Sequence, residues 1–252
     1  MRVAIVTGAA QGIGRRAAEV LAERGFAVVL SDLRSSIDSF SSKDAIEVVG
    51  DITDENVATQ LAETAKEKFG RIDVLVNNAG ISLISPMNET TPAQLRRVID
   101  VNLIAPFLTT KAAGQVMLEQ KSGSIINVAS IAGISGVAHR AAYNASKHGL
   151  IGMTRTLAAE WGGFGVRCNA VCPGWVKTPM DDVSQAAGTY VDSDITDRVP
   201  MGRFASPDDI AKAIAFLADP AESGFINGQT LVVDGGWTAD ASWQSLRLSC
   251  RP

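Results

Sequence analysis

Two hydrophobic rhythms alternate along the chain. Short β-branched runs, RVAIV at 2–6, AVVLS at 27–31, AIEVV at 45–49, IDVLVN at 72–77, SIINV at 124–128, VRCNAV at 166–171 and TLVV at 230–233, are apolar almost without interruption. Runs of this kind read as strands buried on both faces, as in a parallel sheet. Between them the apolar positions fall at helical spacing. Glu55–Phe69 carries Val57, Leu61, Ala65 and Phe69 on one stripe, with Thr53 as the expected N-cap. Strands alternating with helices impose right-handed crossovers, so the pattern predicts an α/β fold of the doubly wound type, with helices on both faces of a sheet of mainly seven parallel strands. No internal repeat interrupts the pattern, and the Ser-rich stretch SSIDSFSSK at 35–43 reads as a surface connection.

Composition narrows the classes of function. At 252 residues, 46% hydrophobic and 20% charged, the chain can bury one large core as a single domain over 1–252. A net charge of −4 with scattered Lys and Arg gives no basic stripe for nucleic acid and no basic amphipathic helix for a membrane surface. Cys168, Cys172 and Cys250 make neither a disulfide framework nor a CxxC metal pair, and only two histidines are present. A reducing cytoplasm is therefore expected, with no metal. The opening MRVAIVTG reads as a strand rather than a signal segment, and no run of 18 apolar residues follows. On this reading the protein is neither exported nor anchored.

In a doubly wound fold ligands sit beyond the carboxyl ends of the strands. After the first strand comes TGAAQGIG at 7–14, where Gly8, Gly12 and Gly14 permit a tight turn into a helix and Gln11 and Ile13 lie at its entry. Such a turn brings backbone N–H groups and a helix N-terminus to an anion such as a pyrophosphate. The spacing is G-x-x-x-G-x-G rather than G-x-G-x-x-G, and by itself it is a weak signal, with a structural turn as the alternative. Asp32, at the end of the second strand and 18 positions after Gly14, places a carboxylate where it can accept from both ribose hydroxyls of NAD and repel a 2′-phosphate. Arg34 nearby keeps NADP as the alternative.

The stretch AAYNASKHG at 141–149 sets Tyr143 and Lys147 four positions apart, on one face of a helix. Taken with TGAAQGIG, Asp51-Ile52, NNAG at 77–80, Asn102, Ser130 and PGWVKT at 173–178, all in order, this pair resembles the short-chain dehydrogenase/reductase family, in its compact single-domain, Rossmann-type branch. The interval of 13 residues from Ser130 to Tyr143 matches that family as well.

The resemblance implies hydride transfer between a nicotinamide dinucleotide and a secondary alcohol or ketone. A phenol with a pKa near 10 is a poor base at neutral pH, and a cation one helical turn away favours its ionised form. Tyr143 is then the general acid and base, and Lys147 assists it while binding the nicotinamide ribose. Ser130 donates to the substrate oxygen as charge develops there. Asn102 resembles the family's helix asparagine that holds a water beside the lysine, and a core Asn bonded to backbone is compatible with that role. Asp51 and Ile52 resemble the pair that meets the adenine. Asn78, Ala79 and Gly80 resemble the segment that borders the adenine ribose, with a structural role of equal weight. Pro173 and Gly174 bend the chain around the nicotinamide, and Val176 and Thr178 match positions that bind its carboxamide. His139, on the loop before Tyr143, and Trp175 are candidate substrate contacts, whereas His148 reads as structural and Cys168 and Cys172 as core.

The family's substrate loop corresponds to 180–202, which holds Asp181, Asp182, Asp192, Asp194 and Asp197 against Arg198 alone. Reductases of this family that act on carrier-linked 3-oxoacyl groups use surface arginines, and at the corresponding positions stand Ser124 and Phe164. The expected substrate is therefore a small polar hydroxy compound, a sugar or polyol, with 3-oxoacyl thioesters reduced by NADPH as the alternative. A catalytically silent NAD-binding regulator is a further alternative, disfavoured because Tyr143 and Lys147 are both present. From 141 to 154 the only charged residue is Lys147, and from 101 to 110 there is none. Helices without a polar outer face need a cover, which predicts a homo-oligomer paired through them. The resemblance extends this to a dimer of dimers joined through 230–233. The tail at 239–252 either covers a neighbouring subunit or is disordered.

Overall fold

In the computed structural model, which describes residues 1–179, 185, 188 and 190–250, the strands are β1 (Arg2–Thr7), β2 (Phe26–Asp32), β3 (Ala45–Val49), β4 (Val74–Asn77), β5 (Gly123–Val128), β6 (Val166–Pro173) and β7 (Thr230–Val233). They form one sheet in the order β3-β2-β1-β4-β5-β6-β7. Every neighbouring pair is parallel. The chain works outward from β1 to β3, then returns to lay β4 on the other side of β1. Ile5 therefore sits between Val29 of β2 and Leu75 of β4. A crevice opens at this reversal.

Period-two alternation divides the strand side chains between two cores. Ala4 and Val6 pack on one face with Ala17 and Leu21 of α1 (Gly12–Glu23). Val3 and Ile5 pack on the other with Leu61 and Ala65 of α2 (Glu55–Phe69). A rod begins at α3 (Pro92–Ile99), passes through a π-helical turn at Asp100–Ile104 and continues as α4 (Ala105–Gln120). The long α5 (Ala141–Trp161), the short α6 (Asp192–Thr196) and α7 (Pro207–Ala218) complete the principal helices. Ile210 and Ile214 of α7 close the core above α1.

Local chemistry sets the ends. The N-cap of α2 is Asp54 rather than Thr53, and its side chain accepts from Asn56 N. Thr53 is already committed, since both its N–H and its hydroxyl donate to Asp51 Oδ1, at 3.0 and 2.8 Å. On that helix the predicted stripe is shifted: Ala58, Leu61, Ala62 and Ala65 are buried, while Val57 and Phe69 are only partly covered. The connection at 35–43 contains a 3₁₀ turn at Ile37–Ser39 and buries Phe40 against the first core. Among the described residues no helix is long and apolar enough to cross a membrane.

The tail takes two 3₁₀ turns, Gln244–Leu246 and Leu248–Cys250. Ser249 N donates to Asp197 Oδ1 at 2.7 Å, which fastens the tail to the end of the 180–202 segment. Of that segment, 180–184, 186, 187 and 189 lie outside the described residues, and with them Asp181 and Asp182; residues 251–252 do too.

Cys168 and Cys172 lie fully buried in β6, while Cys250 is exposed. Burial pushes the Cys168 thiol up to about 12 and the Cys172 thiol up to about 11. Thiol titration with a chromogenic disulfide at pH 8 should therefore give one fast thiol in the native protein and three in denaturant. Two or more fast thiols in the native state would show that β6 opens readily to solvent.

Candidate functional site

At the carboxyl ends of β1, β4, β5 and β6 lies a cleft of about 600 Å³. Its dinucleotide end is shaped by a close backbone approach. Gly8 has φ +66°, and a Cβ on Gly14 would stand 2.2 Å from Gly8 O and 2.4 Å from Asn78 Nδ2. No side chain larger than hydrogen fits at Gly14. The amide of Asn78 fixes the approach by donating to Thr7 O and Gly8 O, at 2.9 and 3.1 Å. Thr7 Oγ1 in turn accepts from Asn78 N and Ala79 N, both at 3.0 Å.

The first turn of α1 then faces the cleft through Gly12 and Ile13. Its N-cap, Gln11, makes no side-chain cap, and the turn holds no acidic residue. By contrast α2, α3 and α7 are capped by Asp54, Thr91 and Ser206. The free N–H groups of α1 fit the pyrophosphate of a dinucleotide. Beside them Asp32 Oδ2 accepts from Ala10 N at 3.0 Å, and Oδ1 receives only a long contact from Arg34 N at 3.4 Å. Arg34 Nη2 donates to Gln11 Oε1 at 2.9 Å. Asp51 is held below the usual carboxylate range, chiefly by the Thr53 backbone N–H, and Arg97 pairs with it at 3.3 Å. Ile52, Asn78, Ala79 and Gly80 line the same end.

At the other end the cleft brings Ser130, Tyr143 and Lys147 together, with Pro173, Gly174, Trp175, Val176 and Thr178 along one wall. Ser130 follows β5, and its Oγ accepts from Ala132 N at 3.1 Å, capping a 3₁₀ turn. Tyr143 and Lys147 project from one face of α5. Lys147 is 4% exposed, and its Nζ donates to Val128 O at 2.8 Å. Burial lowers its pKa to about 8. The Tyr143 phenol moves upward from 10, because the protein around it disfavours the phenolate, while the neighbouring Ser130 hydroxyl and the Arg140 charge pull the other way. In the protein by itself, burial thus outweighs the expected pull of a neighbouring cation toward the phenolate. Lys147 Nζ lies 5.7 Å from the centre of the phenol ring.

Asn102 lies behind the cleft, fully buried in the π-helical turn. Its Oδ1 accepts from Ile81 N at 2.8 Å, and its Nδ2 donates to Ile81 O at 2.9 Å and to Ser146 Oγ at 3.1 Å. Ser146 Oγ donates to Tyr143 O at 2.7 Å, so this asparagine ties the loop after β4 to the helix that carries the tyrosine. His139 is placed elsewhere: it is exposed, has φ +61° and lines no part of the cleft. Its carbonyl accepts from Ser85 N at 2.7 Å, so its backbone helps shape the loop. His148 is exposed too, with Nδ1 2.9 Å from Asn144 O.

Sequence reasoning missed Arg140 and Tyr190. Arg140 is the N-cap residue of α5, three residues before Tyr143, and no helical spacing pointed to it. Its Cζ lies 5.3 Å over the Trp175 ring and 6.0 Å from the Tyr143 ring. Tyr190 meets Trp175 edge to face at 5.0 Å. It stands in an irregular segment with no periodicity to reveal it.

The model of a family described as enoyl-(acyl carrier protein) reductase matches residues 8–238. The chain is 42% identical over 247 residues to cis-4-hydroxycyclohexanecarboxylate dehydrogenase of Sinomonas cyclohexanicum, a match covering 94% of this chain and 97% of that one. It is 40% identical over 243 residues to a 3-oxoacyl-[acyl-carrier-protein] reductase of Synechocystis sp., covering 93% and 96%. The crystal structure of an actinorhodin polyketide ketoreductase variant with NADPH superposes with a TM-score of 0.89 at 35% identity, covering 94% of this chain and 97% of that one. On the fold, the cleft and these likenesses, the chain belongs to the short-chain dehydrogenase/reductase family and is an oxidoreductase acting on alcohol and ketone groups.

Proposed function

We propose that the protein is an NAD-dependent dehydrogenase that interconverts a secondary alcohol and a ketone on a small polar hydroxy compound, with Tyr143 as general acid and base. The observation that supports this best is the meeting of Ser130, Tyr143 and Lys147 at one end of a cleft whose other end presents the uncapped α1 N-terminus and Asp32. A bound nicotinamide supplies the acceptor for the hydride. Tyr143 takes the hydroxyl proton during oxidation and returns it during reduction. Ser130 donates to the substrate oxygen where negative charge develops. Lys147 holds a positive charge beside the phenol, and Asn102 keeps α5 and the loop at Ile81 in register.

Burial raises the phenol's pKa, so oxidation by the free enzyme should accelerate toward alkaline pH. Selectivity for NAD is argued from Asp32, whose Oδ1 has capacity left to accept ribose hydroxyls, and from Arg34, whose Nη2 is engaged by Gln11. The NADPH of the ketoreductase structure belongs to that protein. A small substrate rather than a carrier-linked one fits Phe164, which is 59% exposed where a carrier-docking cation is expected. Ser124 carries no weight in that comparison, because it is buried and donates to Leu217 O. The 3-oxoacyl thioester remains the second reading, favoured by the Synechocystis relative. A cytoplasmic setting suits the three free thiols. Pairing of two copies suits the exposed Ile104 and Phe107 on the uncharged 101–110 face, and the dimer of dimers is carried over from the family through 230–233.

Tyr143→Phe should lower kcat by about 10³-fold or more while NADH binding, read by fluorescence titration, stays within about threefold. A rate within tenfold of wild type would remove Tyr143 from the proton transfer. Lys147→Ala should harm both readouts together. For the cofactor, Asp32→Ala should cut the NAD-to-NADP ratio of kcat/KM by about 30-fold, the scale of one or two hydrogen bonds to a charged group. A wild-type enzyme that already prefers NADP would make Arg34 the residue that reads the ribose. Sedimentation at micromolar concentration should give a mass near four chains; a mass near two would leave only the pairing through the 141–154 and 101–110 helices, and a mass near one would refute assembly.

A further inference from the structure

At the substrate end of the cleft one side chain is left over from the chemistry. Of the charged residues that line the cleft, Asp32, Arg34, Asp51 and Arg97 gather at the dinucleotide end, and Lys147 is spent on Val128 O beneath Tyr143. Arg140 is the charged lining residue at the opposite end, among the described residues. Its guanidinium lies over Trp175 and beside Tyr143, and among the described residues its hydrogen bond is a long one, 3.4 Å from Nη1 to Ser82 Oγ. No described carboxylate pairs with it, whereas Arg15, Arg16, Arg24, Arg71, Arg97 and Arg203 each have an acidic partner. In the same wall the Trp175 indole Nε1 is buried with no acceptor among the described residues. A half-buried cation and an orphan donor, set among aromatic rings, leave an anion's place open.

We infer that Arg140 recognises a carboxylate on the substrate, so that the preferred alcohols are hydroxy acids whose carboxylate lies a few bonds from the carbinol carbon. This rests on the alcohol dehydrogenase reading and narrows its substrate class. The planar fork of one guanidinium matches a carboxylate in two parallel hydrogen bonds. A phosphate dianion asks for a second cation free to meet it, and the other cation lining this end among the described residues, Lys147, is engaged by Val128 O. Because Arg140 is the N-cap residue of α5 and its guanidinium lies 6.0 Å from the Tyr143 ring, the carboxylate and the reacting hydroxyl are held at a short separation, which positions the carbinol at the phenol.

The test uses matched pairs on the intact enzyme with NAD: cis-4-hydroxycyclohexanecarboxylate against its carboxamide, and gluconate against glucitol. Wild type should favour the acid of a pair in kcat/KM by about 30-fold or more. Arg140→Gln should collapse that ratio toward one, mainly through the KM of the acid, and Arg140→Lys should restore part of it. Calorimetric binding of cyclohexanecarboxylate and cyclohexanecarboxamide, neither of which carries a hydroxyl to oxidise, should show the same loss of preference in Arg140→Gln. If Arg140 only props Trp175 and Tyr143, the substitution lowers both members of a pair equally and leaves the ratio unchanged, which overturns the inference. Turnover of the neutral members in preference to the acids overturns it too, while leaving alcohol oxidation intact. Absence of NADH formation from every member, with no preference for cyclohexanecarboxylate in calorimetry, overturns both readings.

Discussion

The approach of Gly14 to Gly8, fixed by the amide of Asn78, is the constraint on which the rest of the molecule depends. It joins the end of β1, the start of α1 and the loop after β4 within one hydrogen-bonded knot. A side chain at 14 would force α1 away from β1, since backbone oxygen has nowhere to move. The same knot directs the first N–H groups of α1 outward and sets the loop that Asn102 grips from behind. Both ends of the cleft are thus referred to a single seam between β1 and β4.

Electrostatically the chemical end of the cleft is held in tension. Bringing Lys147 from 10.5 down to about 8 means that burial works against its charge by about 3 kcal/mol. The ammonium is held in place by its hydrogen bond to Val128 O. Tyr143 is biased toward its neutral form by the same enclosure. A site arranged in this way resists separating charge until polar groups of a ligand enter it, which suits proton transfer timed to substrate arrival.

The sequence made most of this legible because its signals were local. Strand residues declared themselves by β-branched runs, and β3 and β7 lie at the predicted limits. Ser130, Tyr143 and Lys147 could be found from order and spacing, which a helix and a strand end convert directly into proximity. What escaped depended on competition or on contacts between distant segments. Thr53 looked like a cap, but Asp51 engages its donors first, so Asp54 takes the position. His139 looked like a ligand by its place before Tyr143, yet a left-handed backbone turns it outward and leaves Arg140 to face the cleft. The pairing of Trp175 with Tyr190 and Trp237 joins parts of the chain that no periodicity connects.

The π-helical turn at Asp100–Ile104 acts as a phase shifter. One extra residue in a helical turn rotates everything downstream by about 100°. The rod formed by α3 and α4 needs that rotation, because its first half packs against α5 and its second half against α2. An unbroken α-helix of the same length would present one stripe to both neighbours and satisfy one of them. Deleting a single residue between 100 and 104 would therefore carry Phe107 and the whole outer surface of α4 round the axis, altering the outside of the molecule by the same stroke that withdraws Asn102 from Ile81.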